Sequence, residues 1–149
     1  MPSADGRGAH QPVIARGDCS ESELRLIHNK FEWLLGQSHA FVDGIYYCPH
    51  HPDKGYPGER PELKVCCDCR KPNIGLFEKA AAELNVDIPR SWMIGDSADD
   101  IEAARTFGIR SVLVQTGHQD KPLRSSPDLV CQDVSHAVKR ILEWEQGPQ

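Results

Sequence analysis

The chain has 149 residues, about the length of one domain, with 39% hydrophobic and 26% charged residues, so a packed core is expected and disorder is not. Net charge is −5 with histidine neutral and no basic stripe stands out, which argues against a nucleic-acid partner. No run approaches the roughly 20 apolar residues a bilayer span needs, and the opening residues MPSADGRGAHQP lack the apolar core of a secretory signal, so a cytoplasmic protein with no membrane partner is expected.

Residues 1–18 are rich in Gly, Pro, Ala and charge and read as an irregular lead-in to a single domain over 19–149. Ser20, with Glu23 three residues on, forms a capping-box pattern ahead of Leu24, Ile27, Phe31, Leu34 and Leu35, which predicts a helix. Phe41-Val42-Asp43-Gly44-Ile45-Tyr46-Tyr47 has the aromatic and β-branched content of a strand. From 48 to 72 come Pro49, Pro52, Gly55, Pro57, Gly58, Pro61 and Pro72, a density of breakers that predicts one long loop. Loops of that length in compact domains are usually functional or cross-linked.

Beyond Pro72 the pattern alternates. Residues 74–85 form a helix with Leu76, Phe77, Ala80, Ala81 and Leu84 on one face. Ser91–Ile94 is a short strand running into Gly95-Asp96; 98–107 is a helix stopped by Gly108; Ser111–Gln115 is a strand; another lies near Leu129-Val130; and 134–145 is a last helix. Strands alternating with helices imply an α/β fold with a parallel sheet.

Four of the six cysteines fall between Cys48 and Cys69, beside His50 and His51. Clustered thiols among histidines in a reducing compartment point to a metal before disulfides. Cys48-Pro49-His50 and Cys67-Asp68-Cys69 supply two pairs of ligands, each pair on one side of an extended segment, and four such donors suit a structural, tetrahedral zinc. Cys66 and His51 compete for the same places, whereas Cys19 and Cys131 stand apart. Gly95-Asp96-Ser97-Ala98-Asp99-Asp100 follows a strand and opens a helix, the position where α/β sheets bind ligands, and carboxylates there suit Mg²⁺.

The segments IYYCPHHP (45–52) and VCCDCRKP (65–72), with Ile14-Ala15-Arg16-Gly17 and the stretch from Trp92 to Thr116, resemble the heptose-bisphosphate phosphatases of the histidinol-phosphatase-like branch of the HAD superfamily. The resemblance runs from about Ala9 to Gly117. It implies a HAD-like, three-layer Rossmannoid fold, a phosphoric monoester hydrolase acting on a small sugar phosphate, and a place in the heptose biosynthesis of lipopolysaccharide. It also implies zinc on Cys48, His50, Cys67 and Cys69, Mg²⁺ on Asp96 and in part Asp100, a phosphate-stabilising Lys71, and substrate contacts from Arg70 and Gln11. The zinc-pinned loop, 48–72, then serves to hold Arg70 and Lys71.

One part of the pattern is missing. Such enzymes carry an aspartate nucleophile and an acid/base aspartate in a D-x-D-G-T segment ending the first, central strand. The nearest match here is Ala4-Asp5-Gly6, with no apolar strand before it, and the family's phosphate-binding threonine falls on Ala9. The expectation is a fold lacking its nucleophile-bearing strand, inactive alone, with a complementary N-terminal fragment as a candidate partner. A non-catalytic phospholigand-binding or scaffold role, keeping Arg70, Lys71 and Asp96, is the alternative.

Overall fold

A computed structural model describes residues 12–117 and 121–147. Three parallel strands, β1 (Trp92–Gly95), β2 (Arg110–Val114) and β3 (Leu129–Cys131), form a sheet in that order. Trp92 pairs with Arg110, Gly95 with Leu113, Val112 with Leu129 and Val114 with Cys131. Two helices follow strands, α4 (Ala98–Phe107) after β1 and α5 (Val134–Gln146) after β3.

Side chains alternate across a strand, so Ile94, Val112 and Val114 share one face of the sheet. That face packs with Cys131 of β3 and with Ala137 and Ile141 of α5. On the opposite face a Cβ built on Gly95 would run into the Asp100 side chain of α4, and buried Leu113 lies level with Gly95. Helix α4 therefore covers one face and α5 the other, giving the expected α/β/α layering. Helix α3 (Gly75–Leu84) joins through Phe77, stacked on Phe107 of α4 with ring centroids 5.5 Å apart.

The helix predicted after Ser20 is α2 (Glu21–Gln37), and its capping box is formed: the Glu23 amide donates to the Ser20 hydroxyl at 3.2 Å and the Ser20 amide to Glu23 at 2.8 Å. Its apolar stripe, however, is largely uncovered. Leu24 is buried, while Ile27, Phe31 and Leu34 are about half exposed. Within the segment read as irregular, Pro12–Arg16 form a short helix, α1, whose Ile14 and Ala15 are fully buried.

The predicted strand at Phe41–Tyr47 is not formed. Its backbone joins no sheet among the described residues, Phe41 is exposed, and only Cys48 makes an isolated bridge. A strand exists only with a partner, and composition cannot supply one. Side chains tether this segment instead: the Tyr46 hydroxyl donates to Glu83 of α3 at 2.8 Å, and the Tyr47 ring sits 5.5 Å from that of His28 on α2. Among the described residues the outer edge of β1 also has no neighbouring strand. No described helix is long and apolar enough to cross a membrane.

Candidate functional site

The proline-rich loop forms no regular structure beyond one 3-10 turn at Pro61–Leu63. It nevertheless brings its two ends together. The donor atoms of Cys48, His50, Cys67 and Cys69 all lie within 4.8 Å of one another. Cys48 Sγ is 3.5 Å from Cys67 Sγ and 3.0 Å from Cys69 Sγ, and His50 Nδ1 is 3.3 Å from Cys69 Sγ and 3.7 Å from Cys48 Sγ. Tetrahedral zinc with Zn–S near 2.3 Å and Zn–N near 2.0 Å sets ligand–ligand edges of roughly 3.5–3.8 Å. The five spacings between these donors that fall in contact range, 3.0–3.7 Å, are up to about 0.8 Å tighter than those edges, and such a group could hold a metal ion.

Burial and mutual thiol contact raise the Cys69 pKa far above its ordinary value, and burial raises that of Cys48. A cation that takes them as thiolates reverses that rise.

The competing ligands are placed elsewhere. Cys66 is exposed and outside the cluster. His51 is buried, with Nδ1 accepting from the Asp53 amide at 3.2 Å and its ring edge-on to Tyr56. Burial and the nearby Arg70 guanidinium lower its pKa. Cys19 and Cys131 lie apart from the cluster, as expected.

The rest of the loop is held by a polar network that periodicity could not reveal. The buried Lys64 ammonium donates to the Asp53 carbonyl at 2.7 Å, lies 3.4 Å from Glu59 and sits over the Tyr56 ring. Glu59 in turn accepts from the Gly55 and Tyr56 amides at 2.9 and 3.0 Å, which lowers its pKa. The Arg16 guanidinium covers the same ring, 4.5 Å from its centroid, and the Arg60 amide donates to the Ala15 carbonyl at 2.9 Å. Gly17, in the left-handed region at φ +81°, has no room for a Cβ beside the Gly58 carbonyl. The loop thus has two anchors, the four-donor group at its ends and the Tyr56–Lys64 lobe against α1.

From Cys69 the chain runs directly into Arg70 and Lys71. Asn73 and Gly75 tie this turn back, donating to the Cys67 and Asp68 carbonyls at 2.7 and 3.0 Å. Lys71 is buried and makes an ion pair with Asp100. Asp100 is the third residue of α4 and also caps that helix: its Oδ2 accepts from the Asp96 amide (3.2 Å), the Ser97 amide (3.1 Å) and the Ser97 hydroxyl (2.8 Å). Burial pushes the Asp100 carboxyl up, but the Lys71 ammonium and the Ser97 hydrogen bonds outweigh it, so its pKa lies below the usual carboxylate value.

This refines the two-aspartate expectation. Both Asp100 oxygens are committed within the protein, so Asp100 orients Lys71 and the Asp96–Ser97 turn. Asp96 is left as the carboxylate at the C-terminal end of β1. It faces Gly117 after β2, where a Cβ would collide with it. Lys71, Asp96 and Asp100 are therefore joined in one hydrogen-bonded unit. Gln11, and the Ala4-Asp5-Gly6 and Ala9 positions, lie outside the described residues.

Beside this unit is a cleft of about 260 Å³ lined by Arg70, Lys71, Asp99 and Lys121 among others. A larger hollow of about 900 Å³ carries Asp68, Glu78 and Glu102 against one arginine, Arg124, a charge balance that repels phosphate. Asp99 and Lys121 were not singled out by sequence. Asp99 reads as one more first-turn acid, and Lys121 sits in a loop with no period.

The HAD-hydrolase-like family profile matches residues 68–137. The D-glycero-beta-D-manno-heptose-1,7-bisphosphate 7-phosphatase of Haemophilus ducreyi is 43% identical over 110 residues, covering 72% of this chain and 58% of that protein. The enzyme of the same name from Escherichia coli K12 is 35% identical over 142 residues, covering 94% of this chain and 72% of that protein. This chain belongs to that family. A solved D,D-heptose 1,7-bisphosphate phosphatase from B. bronchiseptica, complexed with magnesium and phosphate, superposes with a TM-score of 0.75 at 32% identity, over 91% of this chain and 72% of that one. Membership in this heptose-bisphosphate phosphatase family makes the chain a HAD-type phosphatase by descent, and its parallel sheet and α/β/α layering agree.

Proposed function

We propose that this chain is the phosphate-holding part of a sugar-bisphosphate phosphatase site, acting on heptose 1,7-bisphosphate or a near relative and turning it over poorly on its own. The observation that carries the reading is the Lys71–Asp100–Asp96 unit built directly onto the four-donor loop. The relatives' substrate, a sugar bisphosphate, matches what such a unit can do.

In this reading zinc occupies Cys48, His50, Cys67 and Cys69 as a structural ion, since four protein donors leave no position for water. Its part is to hold Arg70 and Lys71 in register with β1. Lys71 offers a fixed positive charge to phosphoryl oxygens; an ammonium has three donors, and Asp100 takes one. Arg70 clamps a second anionic or hydroxyl group through its planar fork. Asp96 is the residue that would hold Mg²⁺, which is content with one or two carboxylates when substrate oxygens and waters complete its shell. When bound, Mg²⁺ would neutralise phosphate charge. A solved relative carries magnesium and phosphate together.

No D-x-D sequence occurs in the 149 residues, so the aspartyl-phosphate route lacks its nucleophile here. Phosphate binding with little or no turnover is the resulting behaviour. The test is a phosphate-release assay on the zinc-loaded chain with heptose 1,7-bisphosphate and Mg²⁺. Release below about 10⁻² s⁻¹ is expected, whereas roughly 1 s⁻¹ or more, the ordinary enzyme range, would overturn it.

A further inference from the structure

The 260 Å³ cleft has walls from three separate parts of the chain. The loop after the four-donor group gives Arg70 and Lys71, the first turn of α4 gives Asp99, and the segment following β2 gives Lys121. Lys71 is deep and committed to Asp100. Arg70 is half-buried and Lys121 is more exposed, with 57% of its side chain open to solvent, so these two cations stand nearer the mouth. Lys121 donates to Asp99 at 2.7 Å.

That contact has the length of a charge-assisted hydrogen bond to any oxyanion. The Asp99 carboxylate carries one negative charge, while a phosphate monoester carries close to two, with three acceptor oxygens. A surface pair of this kind is weak and readily exchanged. Lys71 can serve only one phosphate, because it is fixed to Asp100 at the base of the cleft. A bisphosphate leaves its second phosphate further out, where Arg70 and Lys121 are the cations lining the cleft.

We infer that Lys121 is a specificity-determining residue which, with Arg70, holds the second phosphate of a sugar bisphosphate, Asp99 serving as its counter-ion when no ligand is bound. This rests on the proposed function. It adds what that reading leaves open, namely how a bisphosphate is preferred to a monophosphate.

The experiment is calorimetric titration of the zinc-loaded chain, in Mg²⁺, with heptose 1,7-bisphosphate and separately with heptose 7-phosphate. The intact chain should prefer the bisphosphate by about tenfold or more, as expected for one added cation–phosphate contact. Lys121→Ala should remove most of that preference and leave 7-phosphate affinity within about twofold; Asp99→Asn, which frees Lys121, should strengthen bisphosphate binding several-fold. A Lys121→Ala chain that keeps the preference, or loses affinity for both ligands equally, overturns the assignment while the proposed function stands. Failure of the intact chain to bind either ligand overturns both.

Discussion

Replacing Asp100 with alanine strikes the most connected side chain of the site. It removes the ion-pair partner of buried Lys71 and three acceptor contacts to Asp96 and Ser97 in one step. Breaking a buried pair by deleting one partner costs about 3–5 kcal/mol, since a desolvated charge is left behind. The lost cap on α4 adds about 1 kcal/mol, partly counted already. For a chain of this size each kcal/mol moves Tm by about 2–4 °C, so a fall of roughly 8–15 °C is expected in a circular-dichroism melt at pH 7.

The pH dependence has a definite sign. Asp100 titrates lower in the folded chain than in the unfolded one. Its stabilisation is therefore complete above the unfolded carboxylate value, about 3.9, and fades as pH falls through the lower folded value. The gap between the intact chain and Asp100→Ala should hold from pH 7 to about 5 and narrow below about 4. Asp100→Asn keeps an oxygen acceptor for Ser97 but not the charge, and should fall between the two. A loss under about 1 kcal/mol at pH 7, or a gap that widens on acidification, would show that the Lys71–Asp100 pair is not a stabilising buried ion pair.

Two other outcomes test different parts of the fold. Cys69→Ser should lower bound zinc, measured by elemental analysis, from about one equivalent to under half, because it removes a thiolate central to the donor group. It should also open residues 48–72 to limited proteolysis, and a variant retaining a full equivalent would contradict the ligand assignment. Changing Ile27 and Leu34 together to lysine should alter stability by no more than about 1 kcal/mol, because neither side chain is covered. The same change should suppress aggregation in light scattering, and a large destabilisation would mean the stripe is packed.

Much of the site was legible because it is local. Cys48, His50, Cys67 and Cys69 announce themselves by residue type and by the prolines around them, and their donors do converge. The elements after Pro72 were readable because each is set by short-range signals: Gly108 in the left-handed region ends α4, and Ser97 with Asp100 caps its start. What sequence missed is what depends on a distant partner. Phe41–Tyr47 has strand composition but finds no strand beside it, and the period of α2 marks an apolar face without saying whether anything covers it. The G-D-x-x-x-D run marks Asp100 by local sequence, but its contact with Lys71, 29 residues earlier, carries no local signal. Lys121 carries no local signal, and only the fold brings it to the cleft that Arg70 also lines.

In the proposed function, zinc on the four donors holds Arg70 and Lys71 in place for phosphate. The most direct measurement compares heptose 1,7-bisphosphate binding, by calorimetry in Mg²⁺, for the zinc-loaded chain and for the same chain after chelator treatment and removal of the chelator. Binding is predicted in the loaded chain and weakened by about tenfold or more in the stripped one, as for other losses of preorganisation, with recovery on adding zinc back. Equal affinity with and without zinc would mean that the metal does not position Arg70 and Lys71.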